Sequence, residues 1–253
     1  MAYVSLTSAQ CDANSPLDET LMQQIRTNED DLDARLQSFG TPSDQNIHDE
    51  FAGSVVDTDI WTADVIGAGT VVQSPTTHLV TLTAGGAAVG NVANILAATK
   101  KIKIRMTQTQ SVTLKCRFKI TTISQSYFIG WQTDGNTGGA ADDTVDAVGI
   151  DYAAASQSVF RNSKGAATTT SAALGNVAAW QVLQIDLDQT GSALTLNATL
   201  DSVAFSGMPI TTTNIPDTVT LYPVASSGGD GGSLCVVVID YYYVFYNSQP
   251  LSA

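Results

Sequence analysis

The most regular pattern of hydrophobic and polar positions covers residues 15–39 and predicts an α-helix. Hydrophobic side chains recur there at spacings of three and four residues, which places them on one narrow stripe, and acidic side chains occupy many of the other positions. Ser15 and Pro16 are residues preferred at a helix start, and Gly40 and Pro42 end the pattern. The stripe consists of Leu21, Ile25, Asn28, Leu32, Leu36 and Phe39.

So narrow a stripe has two interpretations. Either the helix packs on the rest of its own chain, or copies of it form a short parallel bundle in which the polar Asn28 fixes the register and the number of chains. We expect the bundle, as a homotrimer, because a three-stranded bundle accepts mixed Leu and Ile positions. A bundle this short is marginally stable by itself, so other contacts must support it.

From residue 51 onward, hydrophobic and polar positions alternate with a period of two, which predicts short β-strands separated by turns. No helical pattern of comparable length interrupts them. Such a series predicts two antiparallel sheets packed as a sandwich. The predicted strands are 69–73, 78–83, 101–107, 112–122, 127–132, 147–152, 157–161, 180–188, 193–200, 218–225 and 234–246.

The strands at 101–107 and 112–122 have the clearest alternation, and the short stretch between them predicts an antiparallel hairpin. Their basic side chains then point outward on both strands, where like charges repel unless acidic groups lie opposite. Either this face binds an acidic surface of a neighbouring subunit or of the capsid, which is our hypothesis, or it is merely a solvated face. Its residues are Lys101, Lys103, Arg105, Lys115, Arg117 and Lys119.

Two Gly- and Asp-rich stretches, 134–143 and 226–232, are predicted to be loops at the ends of the sandwich rather than strand interiors. The last predicted strand, 234–246, is apolar on both faces. It should therefore be a central strand, covered on one side by the second sheet and on the other by another layer or chain.

The pattern divides the chain into an extended leader at 1–14, an assembly helix at 15–39, a polar linker at 40–48 and a β-sandwich at 49–253. We expect the leader and helix to assemble and attach the protein. The sandwich should fold without them.

Composition narrows the class of protein. The 253 residues are 43% hydrophobic and 14% charged, which is enough to bury a core, and a net charge of −13 argues against general binding to nucleic acid or to an anionic membrane. Three widely spaced cysteines give neither a disulfide framework nor a zinc site. The first residues include no basic stretch followed by a long apolar one, so we expect no export by a signal peptide, and the longest apolar run, 234–239, is far too short for a membrane span.

Several segments between residues 49 and 247 resemble strands of concanavalin A-like lectin and glucanase sandwiches, including laminarinase-type and laminin-G-like domains. The resemblance implies a two-sheet antiparallel jelly roll. The segments are DEFAGSVVDTDIWT (49–62), GAGTV (67–71), FIGWQTD (128–134), VGIDY (148–152), WQVLQIDLD (180–188) and VVVIDYYYVFYN (236–247).

The catalytic signature of the glucanase members is missing. Those enzymes carry an E-x-D-x-x-E strand motif, because a retaining glycosidase needs two facing carboxylic acids. The chain has three glutamates, and Glu50 alone lies near the sandwich. The aspartates Asp146, Asp151, Asp186 and Asp188 have no such spacing. His48 and His78 stand alone in the sequence, and no other nucleophile motif occurs, so we expect no enzymatic activity.

The sequence offers candidates for two other kinds of site, a calcium site and a sugar-stacking platform. Calcium binds clustered oxygen ligands, and one loop offers them, but their spacing matches no EF-hand, so we expect no cofactor. Those residues are Asp134, Asn136, Asp142 and Asp143. Trp131, Tyr152 and Trp180 offer rings for sugar stacking, but each lies within an apolar alternation, and we expect packing in the core.

The order of leader, helix, linker and sandwich resembles virion proteins of tailed bacteriophages, such as head fibres, capsid decoration proteins and tail fibres. This resemblance implies a structural protein made in the host cytoplasm and located in the virion. Two alternatives stay open: a tail-fibre or receptor-binding protein that binds a host glycan, and a glycan hydrolase. We expect a capsid decoration protein or head fibre, because the chain lacks the long shaft and the clear binding platform of a receptor-binding tip.

Overall fold

The computed structural model describes residues 46–85, 91–97, 111–122, 127–133, 146–153, 157–164, 167–175, 178–190, 193–211, 214–216, 221–228 and 235–247. They belong to Gln45–Ala253, the second of two units into which the chain divides. The predicted leader, the helix with its stripe, most of the linker, the strand 101–107 with its three cations and the loop 134–143 with its calcium candidates lie outside the described residues.

The described residues form two antiparallel sheets that pack as a sandwich, and no helix occurs among them. Sheet A has the order β13 (Val203–Ala204), β12 (Ala193–Leu200), β11 (Gln181–Thr190), β6 (Ser111–Thr122), β15 (Val236–Asn247), β4 (Leu79–Thr83) and β3 (Thr70–Ser74), with β1 (Ile47–Asp49) also pairing with β15. Sheet B has the order β10 (Ala167–Thr170), β9 (Gln157–Lys164), β8 (Ala147–Ala153), β7 (Tyr127–Gln132), β14 (Tyr222–Gly228), β5 (Val92–Leu96) and β2 (Thr62–Ile66).

The core lies between the sheets and follows from the period-two pattern. Along β6 every second side chain is buried, from Val112 to Ile120, while the side chains between them face outward. Trp61 and Trp131 fill the same interior. The two sheets are also joined by Tyr242, whose hydroxyl donates to the carbonyl oxygens of Gly130 at 2.9 Å and Val224 at 3.3 Å.

The predicted hairpin of 101–107 with 112–122 is wrong. β6 pairs along one edge with β15 and along the other with β11, whose register matches Ser111 with Asp188 and Phe118 with Gln181. Both edges are therefore occupied at the end of β6 where the hairpin would have to begin. Sequence proximity favoured the hairpin, but the sandwich pairs β6 with strands from far along the chain.

The expectation that 226–232 is wholly loop is also wrong. Ser226, Ser227 and Gly228 are the last residues of β14, and they pair with β5. The Ser227 hydroxyl donates to the Cys235 carbonyl at 2.6 Å and accepts from the Ala84 backbone N–H at 3.2 Å. A small polar side chain such as Ser227 can lie in a buried strand because its hydroxyl finds hydrogen-bond partners there.

β15 is a central strand, as predicted. Its inward side chains, including Val237, Ile239 and Val244, are buried against sheet B. Of its outward side chains, Val238 is buried, Tyr241 and Tyr243 are partly covered, and Phe245 is 38% exposed. The second covering layer therefore stays a prediction. In the described part of the chain, no helix is long and apolar enough to cross a membrane.

Candidate partner-binding face

The outer surface of sheet A brings the basic side chains of β6 next to the aromatic side chains of β15. The register places Lys115 beside Tyr243 and Arg117 beside Tyr241. Trp180, just before β11, lies over the same area. We call this surface the tyrosine face. Its residues are Lys115, Arg117, Lys119, Trp180, Tyr241, Tyr243 and Phe245.

The aromatic rings of the tyrosine face form a continuous row. The rings of Tyr241 and Tyr243 are stacked, with centroids 4.6 Å apart and planes at 13°. Phe245 continues the row, with its centroid 5.8 Å from that of Tyr243. Alternate residues of one strand point to the same side, so three outward aromatics in succession produce a rigid apolar strip.

Two of the three cations beside this strip, Arg117 and Lys119, are held in place. Arg117 donates a hydrogen bond to the carboxylate of Asp240, and both Arg117 and Lys119 lie 4.7 Å from the ring centroid of Trp180. A cation over an aromatic face is attracted to it. The strands next to β6 place Val182, Gln184, Tyr241 and Tyr243 beside its cations. Neither β11 nor β15 places a cation opposite the cations of β6. The like-charge repulsion expected between two basic strands therefore does not arise between β6 and these two strands.

Both histidines, which stand alone in the sequence, lie at the margin of the tyrosine face. β1 pairs with β15 and places His48 beside Tyr243, with ring centroids 4.3 Å apart. The Tyr243 hydroxyl donates to Glu50 at 2.7 Å, and the imidazole of His48 lies 3.6 Å from the same carboxylate. His78 lines a cavity together with Glu50, Asp240 and Tyr241.

Glu50 and Tyr243 shift each other's protonation. The hydrogen bond from Tyr243, followed by that from His48, lowers the pKa of Glu50. Desolvation, followed by the hydrogen bond to Glu50, raises the pKa of Tyr243 to about 12. At neutral pH the tyrosine is therefore a proton donor and the glutamate an ionised acceptor.

Two cavities open beside Tyr241. One, of about 250 Å³, is the cavity lined by Glu50, His78, Asp240 and Tyr241. The other, of about 370 Å³, lies toward β11 and β12 and includes Lys115, Gln184, Asp201 and Ser202 in its lining. The ring of Tyr241 thus stands between two concave, mostly polar sites.

The outer face of sheet B, unlike the tyrosine face of sheet A, carries a largely buried ion pair. Asp151 of β8 lies 3.2 Å from Arg161 of β9 in an ion pair that is largely buried. The registers place Asp151, Phe128, Ser226, Asn94 and Asp64 in one row across the sheet. Four strand spacings of about 4.8 Å separate Asp151 from Asp64 by about 19 Å. A glycosidase pair is separated by about 5 to 9.5 Å, so these two carboxylates do not form one.

The aromatics singled out in the sequence lie in different places. Trp131 is fully buried in the core, and Tyr152 packs against the core with its ring 6.5 Å from that of Tyr127. The expected core packing is thus confirmed for both. Trp180 instead lies on the tyrosine face. Sequence reasoning missed Tyr241, Tyr243 and Phe245 as surface residues, because β15 is apolar on both faces and no alternation marks its outer side.

The described residues contain no group of three His, Cys, Asp or Glu side chains arranged to hold a metal ion. Cys116 and Cys235 are both buried thiols.

No protein-family model matches this chain, and no curated protein matches its sequence significantly. Solved structures do match its fold. An endo-1,3-β-glucanase from Streptomyces sioyaensis has 11% identity and a TM-score of 0.57, covering 83% of this chain and 99% of the glucanase. The exoplasmic domain of VIP36, in a Ca²⁺- and mannose-bound form, has 11% identity and a TM-score of 0.54, covering 83% and 93%. Rv0315, a pseudo β-1,3-glucanase of Mycobacterium tuberculosis, has 16% identity and a TM-score of 0.51, covering 80% and 98%.

These likenesses define the class of fold as a concanavalin A-like, glucanase-type jelly-roll sandwich. At such identities they define the fold alone.

Proposed function

We propose that the protein is a non-catalytic structural component of a tailed-phage virion, a capsid decoration protein or head fibre attached through residues 1–39. The observation that carries the non-catalytic part is the position of Glu50. This single glutamate of the described sandwich accepts a hydrogen bond from Tyr243 at 2.7 Å on the outer surface of sheet A. On sheet B, Asp151 is paired with Arg161 at 3.2 Å. Both carboxylates therefore have structural partners.

The virion assignment is supported by the predicted order of leader, assembly helix, linker and sandwich. A slender helix before a separate β-domain suits a protein that attaches at one end and displays the domain at the other. The tyrosine face supports a role in binding, because Tyr, Trp and Arg are enriched where proteins bind partners.

Purified virions test the assignment. The protein should be found in them by mass spectrometry, and a chain lacking residues 1–40 should fail to attach to virions made without the protein. A reducing-sugar assay of the full chain against β-glucans and bacterial polysaccharides should stay at background. Absence from virions would reject the location. Turnover abolished by Glu50→Gln or Asp151→Asn would establish the glycan hydrolase instead.

A second function, host-glycan binding by a tail-fibre or receptor-binding protein, is favoured by the cavities beside Tyr241. An aromatic ring flanked by carboxylate, amide and hydroxyl groups offers both an apolar surface and hydrogen-bond partners. If this function is correct, a glycan array will give hits that Tyr241→Ala removes. Tyr222→Ala, which changes a half-buried tyrosine of sheet B, should leave them unchanged.

A further inference from the structure

A second exposed feature lies at the edge of the sandwich where β2 ends sheet B and β3 ends sheet A. A groove of about 350 Å³ opens there, and we call it the valine groove. Val55 and Val72 in its lining are 74% and 57% exposed. Its lining consists of Ser54, Val55, Val56, Thr58, Trp61, Ala63, Val71, Val72 and Gln73. Exposed apolar side chains gathered at a groove are typical of interaction sites.

The charges around the groove are acidic. Asp57 and Asp59 are both exposed, on either side of Thr58 in the lining. The described residues contain five cations, and three of them, Lys115, Arg117 and Lys119, lie on the tyrosine face. Of the other two, Arg161 is buried. The cations of the described sandwich are therefore concentrated on the tyrosine face, where Asp240 pairs with Arg117 and leaves Lys115 and Lys119 for a partner, and the valine groove is an apolar surface with acidic margins.

We propose that the tyrosine face of one copy of this chain binds the valine groove of a second copy. The row of aromatic rings supplies large, rigid apolar side chains for an apolar groove. Lys115 and Lys119 then lie opposite Asp57 and Asp59, so charge complementarity favours this pairing over face against face. The contact also covers two edge strands, which otherwise expose backbone groups to unwanted pairing.

This contact is heterologous, because it joins two different surfaces. Each copy therefore uses its tyrosine face with one neighbour and its valine groove with another. Such an arrangement closes into a ring if the rotation between copies allows it, and otherwise continues as a filament. A ring of three is the form compatible with the predicted three-helix bundle. The inference does not depend on the virion assignment, because it rests only on surfaces of the sandwich.

Photocrosslinking of the full chain tests the contact. A photoreactive amino acid replaces Val72, and the protein is mixed with chains labelled with heavy isotopes so that links between copies are recognised by mass. Links should join position 72 to peptides of β6 or β15 in the other copy. The matched control is Val203, which is 56% exposed on β13 at the opposite edge of sheet A. A photoreactive residue there should give no such links.

Charge reversal then tests the pairing. Lys115→Glu with Lys119→Glu should reduce the yield of links at least about tenfold, because like charges then meet across the contact. Asp57→Lys with Asp59→Lys in the photoreactive chain should restore it. Circular dichroism and urea unfolding verify that each variant is folded.

Three outcomes would overturn the inference. Links from position 72 to the groove of another copy would mean that grooves pair with each other. Links confined to one chain, or equal links from position 203, would mean that the groove binds no second copy. Loss of links without restoration by the reversed partner would mean that these charges do not face each other.

Discussion

Neighbouring tyrosines on β15 have opposite environments. Tyr242 points inward, is fully buried, and donates its hydroxyl to carbonyl oxygens of β7 and β14. Tyr243 points outward and donates to Glu50. Burial raises the pKa of the Tyr242 hydroxyl well above its usual range, so it stays protonated and remains a donor at every ordinary pH.

Tyr242→Phe should lower the free energy of unfolding by about 1 to 2 kcal/mol, because it removes the hydroxyl that links the sheets and leaves buried carbonyls with fewer partners. Tyr243→Phe is the matched control. It removes an exposed hydrogen bond and should change stability by less than about 0.5 kcal/mol. Urea unfolding followed by circular dichroism measures both. Equal effects of the two changes would contradict the inter-sheet role of Tyr242.

Glu50→Gln should move the titration of Tyr243 down from about 12 toward the ordinary value of 10.0, without reaching it, because burial is the larger cause of the shift. Ultraviolet absorbance of tyrosinate measures this as a difference between variant and parent. Asp188→Asn, an exposed carboxylate on β11, is the control and should leave the curve unchanged. An unaltered curve for Glu50→Gln would show that the 2.7 Å hydrogen bond does not form in solution.

The same pair predicts the direction of pH effects on stability. The pKa of Glu50 is lowered by folding, so its contribution is present above the unfolded value near 4.5 and is lost as the pH falls through the folded value. The pKa of Tyr243 is raised, so its contribution is present below about 10 and is lost as the pH rises toward 12.

Strand packing in sheet B depends on a pair of glycines. Gly130 of β7 and Gly149 of β8 lie opposite each other in the register. A Cβ added at Gly149 would lie 2.4 Å from the carbonyl oxygen of Ile129 and 2.6 Å from the ring of Phe128. Backbone and a buried ring cannot both give way, so this position requires glycine for space.

Gly149→Ala should therefore destabilise the protein by about 1 to 3 kcal/mol. Gly53→Ala is the control. Its new Cβ would lie 3.3 Å from its nearest neighbours, which need to move by only a few tenths of an ångström, so the change should destabilise the protein clearly less than Gly149→Ala. Thermal unfolding of both variants measures the difference. A Gly149→Ala protein as stable as the parent would mean that β7 and β8 separate easily.

Strands with a strong alternation of hydrophobic and polar residues were predictable from the sequence. Strands that form only because they pair with a strand far along the chain were not. β6, β11, β12 and the inner face of β15 follow from period two. β1 and β13 contain three and two residues, too few to show a period, and they are strands because β15 and β12 pair with them. The tyrosine face combines residues more than 120 positions apart, so its cations were visible in the sequence but their aromatic neighbours were not.

At the scale of the whole molecule, the sandwich has a core of its own. Buried hydrophobic side chains from Ile47 to Val244 form one large cluster between the sheets. A domain with its own core can fold by itself. The role of the leader and helix in assembly and attachment stays a prediction from the sequence, and a truncated chain tests it.

A chain beginning at residue 41 should therefore unfold cooperatively in urea with the β-rich circular dichroism of the parent, and it should lose virion attachment. Leu32→Asp in the full chain serves as the matched variant, because it keeps the length and alters only the predicted helix. A truncated chain that aggregates or loses its β-structure would show that the first 40 residues complete the core.

The tryptophans provide an optical consequence of this architecture. Trp61 and Trp131 are buried, whereas Trp180 is partly exposed and has Arg117 and Lys119 at its ring. Iodide, an anionic quencher, is drawn toward those cations, while caesium is repelled. Fluorescence that iodide quenches therefore comes mainly from Trp180. Any molecule that settles on this surface will shield that emission, so the protein carries its own reporter of occupancy without an added dye.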